Sequence, residues 1–304
     1  MKTVGEIGEV KTIERLVSML GTCSDLRVGA GDDCAVTHIV GTNEDQVFTT
    51  DPLIESVHFL PTDDPIRIGN KAAGRVFSDL AAMGANPQWL LVNVVAPASL
   101  EVRALEEIYS GITKLCRQFG ATLIGGDLAE GVVLELHLFG TGTLPAGSAL
   151  LRSGAQVGDC IFTTGKLGGS RAGKHLDFVP CVKEGIFLRE SGYVHSMVDL
   201  SDGLGSDLRH ILRASRVGAQ LDSSLIPCVD SIEAALFDGE DFELLFTVAS
   251  SDVEQLHQKW NQQFETPLHQ IGTITKAVEL LELRGADGFF QSIEGKGFSH
   301  FSGS

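Results

Sequence analysis

Positive charge is scarce in this chain of 304 residues, which has 23 Lys and Arg against 40 Asp and Glu and a net charge of −17. No Lys or Arg cluster stands out along the sequence. Proteins that bind a nucleic-acid backbone normally carry a basic stripe, so the composition argues against a nucleic-acid partner. An anionic nucleotide remains compatible with it, because bound metal ions can mediate between phosphates and acidic side chains.

Long hydrophobic runs are also missing, and nowhere do about eighteen apolar residues follow one another, so we expect no membrane partner. The first twenty residues mix charged and apolar side chains and lack the core of a signal peptide. The six cysteines are scattered, with no C-x-x-C pair and no zinc-ligand spacing. This pattern is typical of buried thiols in a reducing compartment, and it predicts a cytoplasmic protein.

The familiar nucleotide and nucleophile motifs are absent as well. No stretch matches the Walker loop, no Rossmann fingerprint has an acidic partner, and no G-x-S-x-G elbow occurs. The nearest glycine loop, TTGKLGGSRAG, contains Lys166 but has the wrong spacing. If the protein handles nucleotides, it does so by another route.

The sequence contains short apolar runs that alternate with longer helical patterns, which predicts a mixed α/β fold. Strand candidates include CAVTHIV, QVFTTD, WLLVNVVA, ATLIGGD and VVLELHLFGTG in the first half, and DCIFTTG and DFELLFTV in the second. Helical patterns cover residues 7–20, 65–84, 99–119, 203–215 and 250–263, with Ser99 as a candidate cap. A stretch rich in Gly and small residues, 141–158, predicts a boundary between domains of residues 1–143 and 144–304.

Aspartates recur at the ends of the apolar runs, and one lies within a helical pattern. They are Asp32 and Asp33 in GAGDDCAV, Asp51 in VFTTD, Asp127 in LIGGD, Asp199 and Asp202 in MVDLSD, and Asp79 in VFSDLAAMGA. Carboxylates brought together would repel one another and have raised pKa values unless cations neutralise them. Mg²⁺ prefers hard oxygen ligands and often bridges carboxylates to phosphates, so a multi-metal phosphate site is one interpretation.

Each aspartate also has a simpler interpretation. GGD and GDD are typical of turns, Asp79 fits a solvated helix position, and Asp202 fits the cap of the following helix. Asp207 has no matching metal role and is expected to be solvated or paired. Spacing alone leaves the metal site and the turn-and-cap interpretation both open.

Seven motifs follow one another across roughly residues 5–301: GAGDDCAV, TTDPLIESVHF, SDLAAMGANP, LIGGD, LLRSGAQVGD, VDLSDGLGSDL and GEDFELLFT. Together they resemble the thiamine-monophosphate kinase family. The wider superfamily includes aminoimidazole ribonucleotide synthetase and selenophosphate synthetase, which bind ATP without a P-loop. The resemblance implies an N-terminal α/β domain that binds ATP and Mg²⁺ and pairs in a homodimer, and a C-terminal domain that completes the active-site cleft.

The resemblance further implies transfer of the γ-phosphoryl group of ATP to thiamine monophosphate, with several Mg²⁺ ions along the phosphate chain. No general base is implied, since the acceptor is itself an ionised phosphate. Carried over by position, the metal ligands are Asp33, Thr49, Thr50, Asp51, Asp79, Asp127, Asp199 and Asp202. The ATP contacts are Tyr109, Gly126, Asp127, Arg152 and Ser201, and the substrate contacts are His58, Glu240 and Phe298.

Four departures from the family pattern leave alternatives open. GGDLAEG replaces GGDTTRG, Arg75 and Val76 stand near the position of an Asn, and DGED replaces GGED. The middle of the second half is short, with Cys181 where an arginine is usual. The alternatives are a related ATP-using enzyme with another acceptor, and a nucleotide-binding dimer with little catalysis.

Overall fold

Two mixed β-sheets organise residues 2–293, which are the residues described in the computed structural model. The helices there are α1 Val4–Ile7, α2 Glu9–Val17, α3 Pro65–Ala82, α4 Val102–Gln118, α5 Lys174–Asp177, α6 Val182–Ser191, α7 Leu204–Ser215, α8 Ile232–Phe237 and α9 Val253–Gln263. The strands are β1 Leu26–Val28, β2 Ala35–His38, β3 Glu44–Ile54, β4 Asn86–Ala96, β5 Thr122–Glu130, β6 Glu135–Pro145, β7 Cys160–Thr164, β8 Val194–Asp199, β9 Gly218–Asp222, β10 Leu244–Val248, β11 Leu268–Thr275, β12 Leu281–Arg284 and β13 Phe290–Ser292.

The first sheet has six strands in the order β1-β2-β3-β6-β4-β5. Its neighbours pair antiparallel except for β4 and β5, which are parallel and joined through α4. Helices α3 and α4 pack on one face of this sheet. Burial alternates along β4, as expected where one face packs on helices and the other does not.

The second sheet has seven strands in the order β13-β12-β9-β11-β7-β10-β8. Its central strands β7 and β10 are buried at every residue, so both faces of the sheet are covered there. One hydrophobic cluster runs from the first sheet through α3 to Phe162, Phe246 and Trp260. A second cluster, which includes Leu208 and Ile271, lies on the other face.

Helix α3 is the central element, and glycines let its neighbours approach closely. A Cβ placed on Gly69 would lie 2.0 Å from the carbonyl oxygen of Ile108 in α4, and one on Gly111 would lie 2.1 Å from that of Ile66. Helix α6 also packs on α3. Contacts with α4 and α6 therefore fix the position of α3, including the face that touches neither of these two helices.

Most of the predicted elements are confirmed. The patterns at 65–84, 99–119, 203–215 and 250–263 correspond to α3, α4, α7 and α9, and all seven strand candidates form strands. Ser99 is not a cap, because α4 begins at Val102 and Glu101 precedes it without a side-chain cap hydrogen bond. At the N-terminus two short helices, α1 and α2, replace the single one expected over 7–20.

Helix α6 was missed in the sequence, where Gly185 interrupts its pattern. In residues 2–293, no helix has the length and apolar character needed to cross a membrane. The division into residues 1–143 and 144–304 stays a prediction; β6 of the first sheet ends at Pro145 and β7 of the second begins at Cys160.

Candidate active site

A cavity of about 660 Å³ lies beside α3 and is lined by residues from both halves of the chain. Its volume falls in the range typical of small-molecule sites. Ten predicted site residues line it: Asp33, Thr49, Thr50, Asp51, His58, Asp79, Asp199, Ser201, Asp202 and Glu240. Residues that are far apart in sequence therefore meet at one place.

The other predicted site residues lie elsewhere. Arg152 is not among the lining residues and contacts Asp33, which is. Tyr109 packs against the hydrophobic cluster from α4, and Gly126 and Asp127 lie on the exposed edge strand β5. Phe298 falls outside the described residues.

The acidic cluster consists of Asp33, Asp51, Asp79, Asp199 and Asp202. Arg152 holds Asp33 in place, since its Nη2 donates to Asp33 Oδ1 at 2.6 Å and its Nε donates to the same oxygen at 3.1 Å. The backbone N–H of Arg152 donates to the preceding carboxylate, Asp32, at 3.2 Å. The Asp33 side chain is 1% exposed, and its Oδ2 has no hydrogen-bond partner within residues 2–293. Asp33 thus presents one oxygen that an incoming cation would satisfy.

Hydroxyl groups orient two further members of the acidic cluster. Thr49 Oγ1 donates to Asp79 Oδ2 at 2.5 Å, and Ser78 Oγ donates to Asp199 Oδ2 at 2.6 Å. Burial and the nearby Asp199 raise the pKa of Asp79 well above its usual range. Burial and Asp33 raise the pKa of Asp199 to about 7. These carboxylates are costly to ionise together unless a cation joins them.

The chemistry of the acidic cluster fits Mg²⁺. All five side chains offer hard carboxylate oxygens, and one buried oxygen has no partner. Across residues 2–293, no three His, Cys, Asp or Glu side chains already form a metal cage. That arrangement agrees with Mg²⁺, which usually keeps several waters and binds through one or two carboxylates plus phosphate oxygens.

A second part of the cavity, which we call the aromatic end, is lined by His175, Glu240 and Phe242, and the buried Lys71 lies behind them. The Lys71 ammonium is fully buried and lies 2.6 Å from Glu240 Oε1, 2.7 Å from His175 Nδ1 and 2.5 Å from the carbonyl oxygen of His58. Burial lowers the pKa of Lys71 to about 8, although Glu240 opposes the shift. Burial acts to raise the pKa of Glu240, but His175 and Lys71 outweigh it and lower the value to about 2.

Phe242 provides the apolar wall of the aromatic end. Its ring stacks on Phe178 with centroids 4.1 Å apart. Both Glu240 and Phe242 have left-handed backbones, with φ of 60° and 52°, which is unfavourable for residues with a Cβ. Hydrogen bonds hold this strained segment against the loop after β8, with Glu240 N–H donating to Ser201 O at 2.7 Å and Phe242 N–H donating to Leu200 O at 2.8 Å. The acidic cluster and the aromatic end are thereby joined through backbone.

The sequence did not identify Lys71, Ser78 and His175 as site residues. Arg75 was noted only as a departure from the family pattern. Arg75 donates to both oxygens of Asp51, each at 2.6 Å. Lys71, Arg75, Ser78 and Asp79 recur at helical spacing, which puts them on one face of α3. Polar residues at that spacing within a mostly buried helix were the signal that would have identified them.

One interpretation of the stretch after β8 is wrong. Asp202 does not cap α7, because Gly203 precedes that helix and no side-chain cap hydrogen bond is formed. Asp207, expected to be solvated or paired, is paired: its side chain is buried, and Oδ2 accepts from the backbone N–H of Asp202 at 3.0 Å. Asp207 therefore supports the loop that carries Asp202. The solvated interpretation of Asp79 is wrong too, since its side chain is half-buried and accepts a hydrogen bond from Thr49 Oγ1.

Family models match most of the chain. AIR synthase related protein, N-terminal domain, matches residues 31–144, and AIR synthase related protein, C-terminal domain, matches residues 150–280. Among curated proteins, thiamine-monophosphate kinase of Escherichia coli K12 is 36% identical, over 91% of this chain and 93% of that protein.

Solved structures agree with these matches. Thiamine-monophosphate kinase from Stenotrophomonas maltophilia K279a is 30% identical with a TM-score of 0.74, covering 91% of this chain and 96% of the other. AaThiL complexed with AMPPCP and TMP is 28% identical with a TM-score of 0.82, and 99% of each chain is covered. The chain belongs to the AIR synthase related proteins and, among them, to the thiamine-monophosphate kinase family.

Proposed function

We propose that this protein transfers the γ-phosphoryl group of ATP to thiamine monophosphate. A phosphate oxygen of thiamine monophosphate forms the new P–O bond, the bond between the β- and γ-phosphates of ATP breaks, and thiamine diphosphate and ADP are the products. The observation that carries the proposal is that the acidic cluster and the cationic, aromatic end meet in one cavity. The likeness to AaThiL complexed with AMPPCP and TMP supports it.

The acidic cluster would hold Mg²⁺ through Asp33, Asp51, Asp79, Asp199 and Asp202. Bound Mg²⁺ neutralises charge on phosphate oxygens, which is a large part of what phosphoryl transfer requires. Thr49, predicted as a ligand, acts through the hydroxyl that it donates to Asp79. The Thr50 hydroxyl donates to the carbonyl oxygen of Leu138 at 2.9 Å. Asp127 remains a proposed ligand for nucleotide-bound metal from outside the cavity.

The remaining side chains bind and orient the two substrates. Arg152 fixes the Asp33 carboxylate, and Ser201 lines the same cavity as Asp33; both are proposed to contact ATP. Tyr109 and Gly126 remain proposed contacts for the part of ATP that extends beyond the cavity. His58 and Glu240 border the aromatic end and are proposed to contact the acceptor. Because the acceptor phosphate is ionised near neutral pH, no residue is required to remove a proton from it.

The direct test is incubation of the purified protein with Mg²⁺, ATP and thiamine monophosphate, followed by chromatographic measurement of ADP and thiamine diphosphate. Both products should accumulate in equal amounts. No thiamine diphosphate despite measurable ATP binding would refute the proposal. Asp51→Ala and Asp202→Ala should abolish turnover while the protein stays folded, and Asp25→Ala, an exposed aspartate outside the site, serves as the matched control.

The working form of the protein is a homodimer in the cytoplasm. The face of the first sheet opposite α3 exposes Trp89, Leu91, Ile124 and Phe139, and Leu91 pairs with Phe139 across β4 and β6. An apolar sheet face of this kind supports a second copy of the chain as its partner. All six cysteines are unpaired, which supports a reducing compartment.

A further inference from the structure

Arg75 lies between the acidic cluster and the aromatic end of the cavity. Its side chain is 14% exposed, and its Nε and Nη2 donate to the two oxygens of Asp51, each at 2.6 Å. A two-point contact of this type fixes the plane of the guanidinium group and is among the stronger charge-assisted interactions in proteins. Arg75 therefore occupies both oxygens of a carboxylate that belongs to the proposed metal site.

The other edge of the Arg75 guanidinium points away from Asp51. Nη1 lies 3.7 Å from Glu240 Oε1, which is too long for a hydrogen bond. The guanidinium carbon lies 6.0 Å from the centroid of the Phe242 ring. This edge retains hydrogen-bond donors at the aromatic end, where the acceptor is proposed to bind.

The Arg75 guanidinium and a bound metal ion cannot both use the two oxygens of Asp51. A metal ion that binds an oxygen of Asp51 weakens the two-point contact, and a buried guanidinium that loses its anion is costly unless another anion replaces it. The neighbouring Glu240 is already paired with Lys71 at 2.6 Å. A phosphate group on the bound acceptor would supply the missing anion.

We propose that Arg75 is a specificity-determining residue that binds the phosphate group of the acceptor, taking it in exchange for Asp51 when the acidic cluster binds metal. This inference rests on the proposed function for the identity of the acceptor. Arg75 opposes metal binding in the empty site and favours a phosphorylated acceptor over the same molecule without phosphate. Removal of Arg75 should strengthen metal binding and weaken binding of the phosphorylated acceptor. Loss of a merely structural residue would weaken both.

The test compares Arg75→Ala and Arg75→Lys with Arg103→Ala, which removes an arginine whose side chain is 81% exposed on α4. Titration calorimetry measures binding of thiamine monophosphate and of thiamine to each folded protein in the presence of Mg²⁺. Binding of Mn²⁺, as a probe for Mg²⁺, is measured separately without nucleotide. Steady-state kinetics provides kcat and KM for thiamine monophosphate.

For Arg75→Ala we expect thiamine monophosphate to bind roughly ten- to hundredfold more weakly, with thiamine nearly unaffected. Mn²⁺ should bind about threefold to tenfold more tightly, because an uncompensated Asp51 adds negative charge. Arg75→Lys should fall between the wild type and Arg75→Ala, since lysine keeps the charge without the fork. Arg103→Ala should match the wild type.

An unchanged preference for the phosphorylated ligand in Arg75→Ala and Arg75→Lys would overturn the inference, as would weaker Mn²⁺ binding in both. Wild-type turnover decides the proposed function separately. If the wild type makes no thiamine diphosphate, the proposed reaction fails. The role of Arg75 is then decided by whether its removal abolishes the preference for thiamine monophosphate over thiamine.

Discussion

At the scale of single residues, the fold makes some of the carboxylates in the site and beside it costly to ionise. Burial and Asp33 raise the pKa of Asp32 to about 6, and burial with the same neighbour raises that of Asp199 to about 7. Well below pH 3.8, the ordinary pKa of an aspartate, these groups hold a proton in both the folded and the unfolded chain. As pH rises towards 7, these carboxyl groups ionise in the unfolded chain before they do so in the folded protein. The free energy of unfolding that they contribute is therefore lost over this interval.

Mg²⁺ should therefore stabilise the nucleotide-free protein more at about pH 7.5 than at about pH 5, since it binds the ionised carboxylates. The measurement is the rise in Tm on adding saturating Mg²⁺ across this pH range. Ser78→Ala removes a hydrogen bond that lowers the pKa of Asp199, so the Mg²⁺ effect should appear at higher pH. Ser250→Ala, an exposed control, should leave the profile in place, and a Tm increment independent of pH would contradict the prediction.

At the scale of elements, α3 combines a structural and a chemical role. Its glycines allow α4 to approach closely, and its polar face carries Lys71, Arg75, Ser78 and Asp79. Helix α3 also contacts β8, which ends at Asp199. The distance between the acidic cluster and the aromatic end is thus set partly by how α3 packs.

Gly111→Ala should lower the free energy of unfolding by about 1–3 kcal/mol. The added methyl group would lie 2.1 Å from the carbonyl oxygen of Ile66, a backbone atom of α3. The gain of about 1 kcal/mol in helix propensity is too small to offset this clash. Urea denaturation measures the change. Ser110→Ala, at the exposed neighbouring position of α4, should shift stability by less than about 0.5 kcal/mol, and equal effects of the two substitutions would refute the argument.

The sequence was informative where the determinants are local. Aspartates such as Asp51 and Asp199 could be identified because short apolar runs precede them; Asp199 does end β8, whereas β3 continues past Asp51 to Ile54. Helix α6 was missed because Gly185 breaks its pattern, and that glycine is required by packing, since a Cβ there would lie 2.1 Å from Ala81 O. The roles of Lys71 and Arg75 depend on Glu240, which only the folded chain brings near them.

At the scale of the whole molecule, the first sheet has one face covered by α3 and α4 and one face that exposes large apolar side chains. Trp89 is 48% exposed and Ile124 is 57% exposed on that second face. Exposed apolar side chains of this size are unfavourable in water, so pairing with a second copy would bury them. The proposed dimer follows from this asymmetry of the sheet.

Leu91→Asp should convert the dimer to a monomer, because each copy would then have to bury an unpaired carboxylate in the interface. Light scattering coupled to size-exclusion chromatography measures the mass, and circular dichroism checks that the fold is kept. Val132→Asp, at a position that is 94% exposed in a loop, should remain a dimer. A monomeric wild type, or a dimeric Leu91→Asp protein, would refute this interface.

The packing of α3 also limits how the protein could be redesigned for another acceptor. Substitutions on α3 would alter the hydrophobic cluster and the site at once, so altered specificity there would usually cost stability. The segment 174–178 borders the same cavity through His175 and Leu176, and side-chain contacts such as the one between Arg67 and Asp177 attach it to α3. A library that varies the less buried positions of this segment, and leaves α3, Leu176 and Phe178 intact, is the safer starting point for directed evolution.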